Sequence, residues 1–159
     1  ARPRTNEARL GSWAMTEPII RMPLRVRYHE CDGQKIVFNA WYLAYADIAL
    51  TEAARVLFGS YDELAARGVD VVVAEANVRY LGSAGFDDEL VIDVWTQHLG
   101  NTSMVLRFDV NKNGELITQV TSRYVWVDTE SLKPKAPPTE VREAFAQHLL
   151  PVEVSSRPG

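Results

Sequence analysis

The segment Val26–Tyr45, VRYHECDGQKIVFNAWYLAY, gathers the side chains best able to do chemistry. Asp32 stands in a short polar loop just ahead of an alanine-rich apolar run. A carboxylate in that place can simply close a turn or cap a helix. It can equally act as a general base toward water, or attack an acyl carbon itself. Glu30, two positions earlier, offers a second carboxylate, for which a solvated or ion-paired role is the simpler expectation. Cys31 with His29 would be a rival nucleophile and base. Residues i and i+2 of a strand lie about 7 Å apart, so that pair needs a bend, and a lone cysteine more often behaves as a small buried hydrophobe. His98 and His148 lack metal-ligand spacing and read as surface residues. No CxxC or Cys/His cluster suggests zinc, so neither a metal nor another cofactor is expected.

These residues need elements to hold them. Residues 20–30, IRMPLRVRYHE, alternate around Leu24, Val26 and Tyr28 with the period of a half-buried strand, and Pro23 places its start at an edge or bulge. Asn39–Phe58 contains no Gly or Pro, is rich in alanine and leucine, and predicts a helix ended by Gly59. Only Asp47, Thr51, Glu52 and Arg55 interrupt its apolar surface, so it belongs in a core, wrapped by something else. A short helical piece at Tyr61–Arg67 leads to strands at about 70–81, 88–99, 102–111 and 115–127, read as a one-sided antiparallel meander. Asn113-Gly114 marks a type I′ hairpin turn, whose two central residues both need positive φ, and Gly100-Asn101 marks a second turn. After Pro134, Pro137 and Pro138, Thr139 is a plausible cap for a helix over Arg142–Leu150. Residues 1–17 read as a flexible extension with Met15 a candidate start, 18–150 as the domain, and 151–159 as a disordered tail. The economical way to bury the long helix is a curved antiparallel sheet of about five strands wrapped round it, an α+β arrangement.

Arg27, Tyr28, Glu30 and Asp32 fit a strand-ending R-Y-x-E/D-x-D; Ile36-Val37-Phe38, a polar residue and a Tyr42-x-x-Tyr45 helix start follow. This pattern resembles the signature of the 4-hydroxybenzoyl-CoA and short-chain acyl-CoA thioesterases. A weaker likeness runs through VVVAEANVRYLGSAGFDDELVIDV, so the two together span roughly residues 20–128. The resemblance implies a hotdog fold and hydrolysis of an acyl-CoA to a free acid and CoA, with Asp32 as the catalytic carboxylate. It also implies a homo-oligomer, dimer or tetramer, with active sites between subunits. The N–H groups at the helix start, at Asn39 and Ala40, would bind the developing oxyanion, helped by the positive end of the helix dipole. Tyr28, Val37 and Phe38 are the implied substrate neighbours. Glu75, a carboxylate in an apolar run, would reach the site across a dimer interface.

Several positions depart from that family's pattern. Gly33-Gln34-Lys35 puts a lysine where a loop glycine is usual, and its simplest orientation is toward solvent. Asn39 replaces the histidine or tyrosine of relatives; it can cap a helix or orient a water or carbonyl but cannot exchange protons near neutral pH. Gln97-His98-Leu99-Gly100-Asn101 lacks the basic cluster of aromatic-acyl relatives, which argues against a 4-hydroxybenzoyl group. An acyl-carrier-protein thioester is an alternative substrate. A module that binds acyl thioesters without cleaving them is the alternative function. Lys112, Arg107, Arg123, Lys133 and Lys135 are candidates for meeting CoA phosphates.

Composition sets the outer bounds. With 47% hydrophobic and 24% charged residues among 159, the chain has the make-up of an ordinary globular protein. A net charge of −4 gives no global reason to bind nucleic acid or an anionic membrane surface. No run approaches the roughly 20 apolar residues of a membrane-spanning helix. One cysteine forms no internal disulfide, so a cytoplasmic location is expected. Trp95 and Trp126 are expected on an exposed sheet face available for burial between subunits.

Overall fold

The computed structural model describes residues 16–152. Strand β1 (Ile20–Arg25) is followed by a 3-10 turn at Tyr28–Glu30, the long helix α1 (Trp41–Phe58) and the short helix α2 (Tyr61–Ala65). Strands β2 (Val69–Tyr80), β3 (Glu89–Leu99), β4 (Ser103–Lys112) and β5 (Glu115–Asp128) come next, and helix α3 (Thr139–Ala146) closes the order. The five strands make one antiparallel sheet, β1-β3-β4-β5-β2. Helix α1 packs on β1, β3 and β5. Its Tyr45, Ala49, Ala53 and Ala54 are fully buried against Leu90, Ile92, Val94, Met104, Leu106 and Phe108 of the sheet. Alanine at the contact lets helix and sheet approach closely, and the result is the hotdog arrangement. Asn113 and Gly114 adopt φ of 52° and 78°, as a type I′ turn demands, and Gly59, at φ 92°, ends α1 with its N–H on Arg55 O.

The structure corrects several local expectations. The first strand ends at Arg25, not Glu30, because the Arg27 N–H turns back to the Glu30 carboxylate, 2.6 Å away, and folds Tyr28–Glu30 into a 3-10 turn. Strands β3, β4 and β5 form a meander, but β2 leaves it and pairs with β5 at the far edge. Its connection to β3 crosses the sheet end: Leu81 and Gly82 donate to Ile117 O, and Ala84 O accepts from Val37 N–H. Thr139 is the first residue of α3 rather than its cap, and the helix ends at Ala146, after which Leu149 bridges Thr96 of β3. Trp126 is not on an exposed face; it is buried against Phe145, and Trp95 is half-buried with its indole N–H unpaired among the described residues. Strand alternation decides this, since Trp126 falls on the same concave face as Tyr124 and Ser122. The expectations for residues 1–15 and 153–159 lie outside the described residues.

Candidate active site

The chain from Glu30 to Phe38 folds into a small antiparallel ladder. Phe38 N–H donates to Glu30 O, Cys31 bridges Val37, and Asp32 N–H donates to Ile36 O, each bond near 2.9 Å. Asp32 to Lys35 form the turn that closes it, with Lys35 N–H on Asp32 O and Lys35 at φ 63°. The Asp32 carboxylate accepts the Gln34 N–H at 2.8 Å through Oδ1. Among the described residues it takes no other hydrogen bond and has no cation within ion-pair reach, so half-exposed Asp32 keeps acceptor capacity for a substrate or water. Lys35 is exposed and pairs with nothing among them. The ladder is pinned from outside by the β2–β3 connection, where Ile36 bridges Gly85 and Gly85 N–H donates to Asp88. That bond, with Lys112 Nζ at 2.8 Å, holds the Asp88 carboxyl below its usual range.

Three residues beyond the ladder, α1 begins. Its N-cap is Ala40, and no side chain caps the helix, so Asn39 does not serve as the cap the sequence suggested. Trp41 N–H turns back to Phe38 O. The N–H groups of Asn39 and Ala40 donate to no protein acceptor among the described residues. Two free donors at a helix N-terminus suit a developing negative charge. Asn39 O accepts from Tyr80 OH at 2.9 Å, which ties the end of β2 to the helix start.

Glu30 departs most from expectation. It is neither solvated nor ion-paired but 2% exposed, and its Oε1 accepts both the Arg27 N–H and, at 2.9 Å, the hydroxyl of Tyr45. Burial, then the neighbouring Glu30 carboxylate, push the Tyr45 phenol far up. Its partner comes from fifteen residues away on a helix face, a pairing that local spacing does not reveal. Among the described residues no hydrogen bond joins Cys31 to His29: Cys31 Sγ approaches Arg27 O at 3.9 Å, and His29 meets Trp41 edge to face at 5.3 Å.

The implied substrate neighbours are dispersed. Tyr28 is 79% exposed and meets Phe86 edge to face at 5.7 Å, and Phe38 is also exposed. Val37 is buried in the core, so it can shape the site only from behind. Glu75 is not in a buried strand: it lies at the irregularity of the edge strand β2, exposed, 3.7 Å from Arg123. Among the candidate phosphate contacts, Lys112 pairs with Asp88, Arg107 with Asp109, Arg123 with Glu75 and Lys135 with Asp128; Lys133 is exposed. Asp32 lines neither of two cavities elsewhere. One, of ≈ 280 Å³, lies between α1 and β2 near Asp47, Leu50, Val73 and Tyr124; the other, of ≈ 700 Å³, lies near Arg79, His98 and Gln119. Among the described residues no group of three or more His, Cys, Asp or Glu could hold a metal ion, and no helix is long and apolar enough to cross a membrane.

Comparison with known proteins bears on the whole arrangement. A family model described as thioesterase superfamily matches residues 34–117, beginning just beyond Asp32, so it speaks for helix and sheet rather than for that carboxylate. The acyl-CoA thioester hydrolase YbgC of Escherichia coli O6:H1 is 32% identical over 134 residues, covering 84% of this chain and 100% of that protein. The acyl-CoA thioesterase YbgC of Haemophilus influenzae is 29% identical, covering 80% and 93%. Among solved structures, the gentisyl-coenzyme A thioesterase BH1999 superposes with a TM-score of 0.70 at 25% identity, covering 80% of this chain and 99% of that one. A protein of Aquifex aeolicus superposes at 0.74 with 23% identity, covering 79% and 98%.

Proposed function

Because the chain belongs to the thioesterase superfamily, we propose that it is an acyl-CoA thioester hydrolase in which Asp32 is the catalytic carboxylate. The observation that carries this reading is the match along the whole of an acyl-CoA thioester hydrolase, in a chain whose Asp32 carboxylate and helix-start N–H groups, without a protein acceptor among the described residues, flank one small ladder. Asp32 takes a proton from water as the water oxygen attacks the thioester carbonyl carbon, or attacks that carbon itself to give an anhydride that water then opens. Either way the carbonyl oxygen gains charge, which the N–H groups of Asn39 and Ala40 receive. Collapse expels the CoA thiolate. Losing one such donor typically costs about 2.7–4 kcal/mol of transition-state stabilisation, so the helix start rivals the base in weight. The exposed rings of Tyr28, Phe86 and Phe38 favour an apolar acyl group.

The working unit is a homo-oligomer. Among the described residues strand β2 pairs with β5 on one side only, and its Val72, Val73 and Tyr80 are exposed. A twelve-residue edge with bare apolar side chains invites pairing with a second copy. Such a copy would cover the groove between β2 and α1, where Tyr80 reaches Asn39.

The test is thiol release from short, medium, long and aromatic acyl-CoAs by wild type and Asp32→Asn. Cleavage by wild type, with a loss of about a hundredfold or more in kcat for a folded variant, is the expected outcome. Full activity in Asp32→Asn would remove Asp32 from its role. Acyl-CoA binding without thiol release would turn the reading to a non-hydrolytic module or to a carrier-protein thioester.

A further inference from the structure

Glu30 is the one fully buried carboxylate on the ladder that carries Asp32, and the hydrolytic mechanism gives it no chemical step. An ionisable side chain is rarely placed in a core without a purpose that offsets its desolvation. Here one residue makes three connections. Its Oε1 receives the Arg27 N–H at 2.6 Å, closing the turn after β1. The same oxygen receives Tyr45 OH at 2.9 Å, from the second turn of α1. Its backbone oxygen receives the Phe38 N–H at 2.9 Å, the last rung before the helix start. The two halves of the candidate site, the Asp32 turn and the Asn39–Ala40 N–H groups, lie on opposite sides of this junction.

We propose that Glu30 is a positioning residue for thioester hydrolysis, locking α1 through Tyr45 to the ladder so that Asp32 and the helix-start N–H groups keep one fixed separation. This rests on the reading of Asp32 given above. The ladder alone leaves the rotation of α1 about its own axis to packing, and four of the eight residues that α1 buries are small alanines. The Tyr45–Glu30 bond supplies a directional constraint that apolar contact lacks. A misplacement of about 1 Å between reacting groups can cost roughly a hundredfold in rate.

The experiment compares wild type, Glu30→Gln, Glu30→Leu, Tyr45→Phe and Asp32→Asn as full chains, by steady-state kinetics on an acyl-CoA and by amide exchange of Asp32 and Phe38 against Leu106 and Phe108 in β4. Glu30→Gln keeps a carbonyl oxygen for both donors and is expected to stay within about threefold of wild-type kcat. Glu30→Leu is expected to lose about 30- to 100-fold in kcat with KM nearly unchanged, and to exchange faster at Asp32 and Phe38 while β4 stays protected. Tyr45→Phe is expected to lose about 5- to 10-fold, and it decides the matter if Glu30→Leu does not fold. A merely structural Glu30 would lower stability and loosen β4 while leaving kcat per folded molecule intact; that result, or Glu30→Gln as poor as Glu30→Leu, overturns the proposal. Normal turnover by Asp32→Asn, or no cleavage by wild type, is a failure of the functional reading instead. In that case the exchange data alone decide, and unchanged protection of Asp32 and Phe38 in Glu30→Leu overturns the positioning role.

Discussion

Cys31 and Asp32 are neighbours with opposite prospects. Burial, and then the carboxylates of Asp32, Glu30 and Asp88, push the Cys31 thiol up from its ordinary value, so little thiolate forms near neutral pH. Asp32 keeps an unengaged oxygen and meets no cation among the described residues. A Cys31→Ser variant is therefore expected to retain kcat within about threefold, measured by thiol release, whereas a covalent cysteine mechanism would abolish it. The position of Asp32 between strand and helix was legible from its loop setting and motif. The burial of Glu30 was not, because Tyr45, which satisfies it, stands on the helix fifteen residues on.

At the scale of elements, the turn after β5 shows how a strand end is held. The Asp128 carboxylate accepts the N–H groups of Ser131 and Glu130 and meets Lys135 Nζ at 3.2 Å. The Ser131 N–H first, then Lys135 and the Glu130 N–H, lower its pKa from an ordinary 3.8 to about 2. Because the folded value is the lower one, this carboxylate lends stability that is fully present above about pH 4 and fades as pH falls toward 2. Urea midpoints of wild type and Asp128→Asn should differ by a constant amount between pH 5 and 7 and converge as pH falls from about 4 toward 2. A gap that persists at pH 2 would mean that the charged form has no special role there. The turn residues that terminate β5 are local, which is why this element end was expected close to where it falls.

For the whole molecule, the consequential feature is the placement of β2 at the sheet edge. Val73, 61% exposed, sits on a strand with one unpaired side. Placing a charge there should oppose pairing with a second copy. A Val73→Lys variant is expected to shift from an oligomer toward a monomer by light scattering, and to lose thioesterase activity with it if sites are shared between subunits. An unchanged mass would place the interface elsewhere. The notion that Trp126 served such an interface fails on tertiary grounds, since it is enclosed with Phe145 beneath α3.

The amino-acid sequence by itself determined the element order, the apolar helix, the Asn113-Gly114 turn and the edge character of β1, because periodicity, glycine and proline act over a few residues. It also carried the motif around Asp32, which is contiguous. Only the tertiary structure decided that β2 joins β5, that the first strand stops at Arg25, that Glu30 is buried on Tyr45, and that Ala40 rather than Asn39 borders the helix. Each of these depends on a partner distant in the chain or on the sum of packing around it. Hydrogen-bond satisfaction of a buried group is settled by whichever donor the fold brings near, and local spacing does not encode that choice.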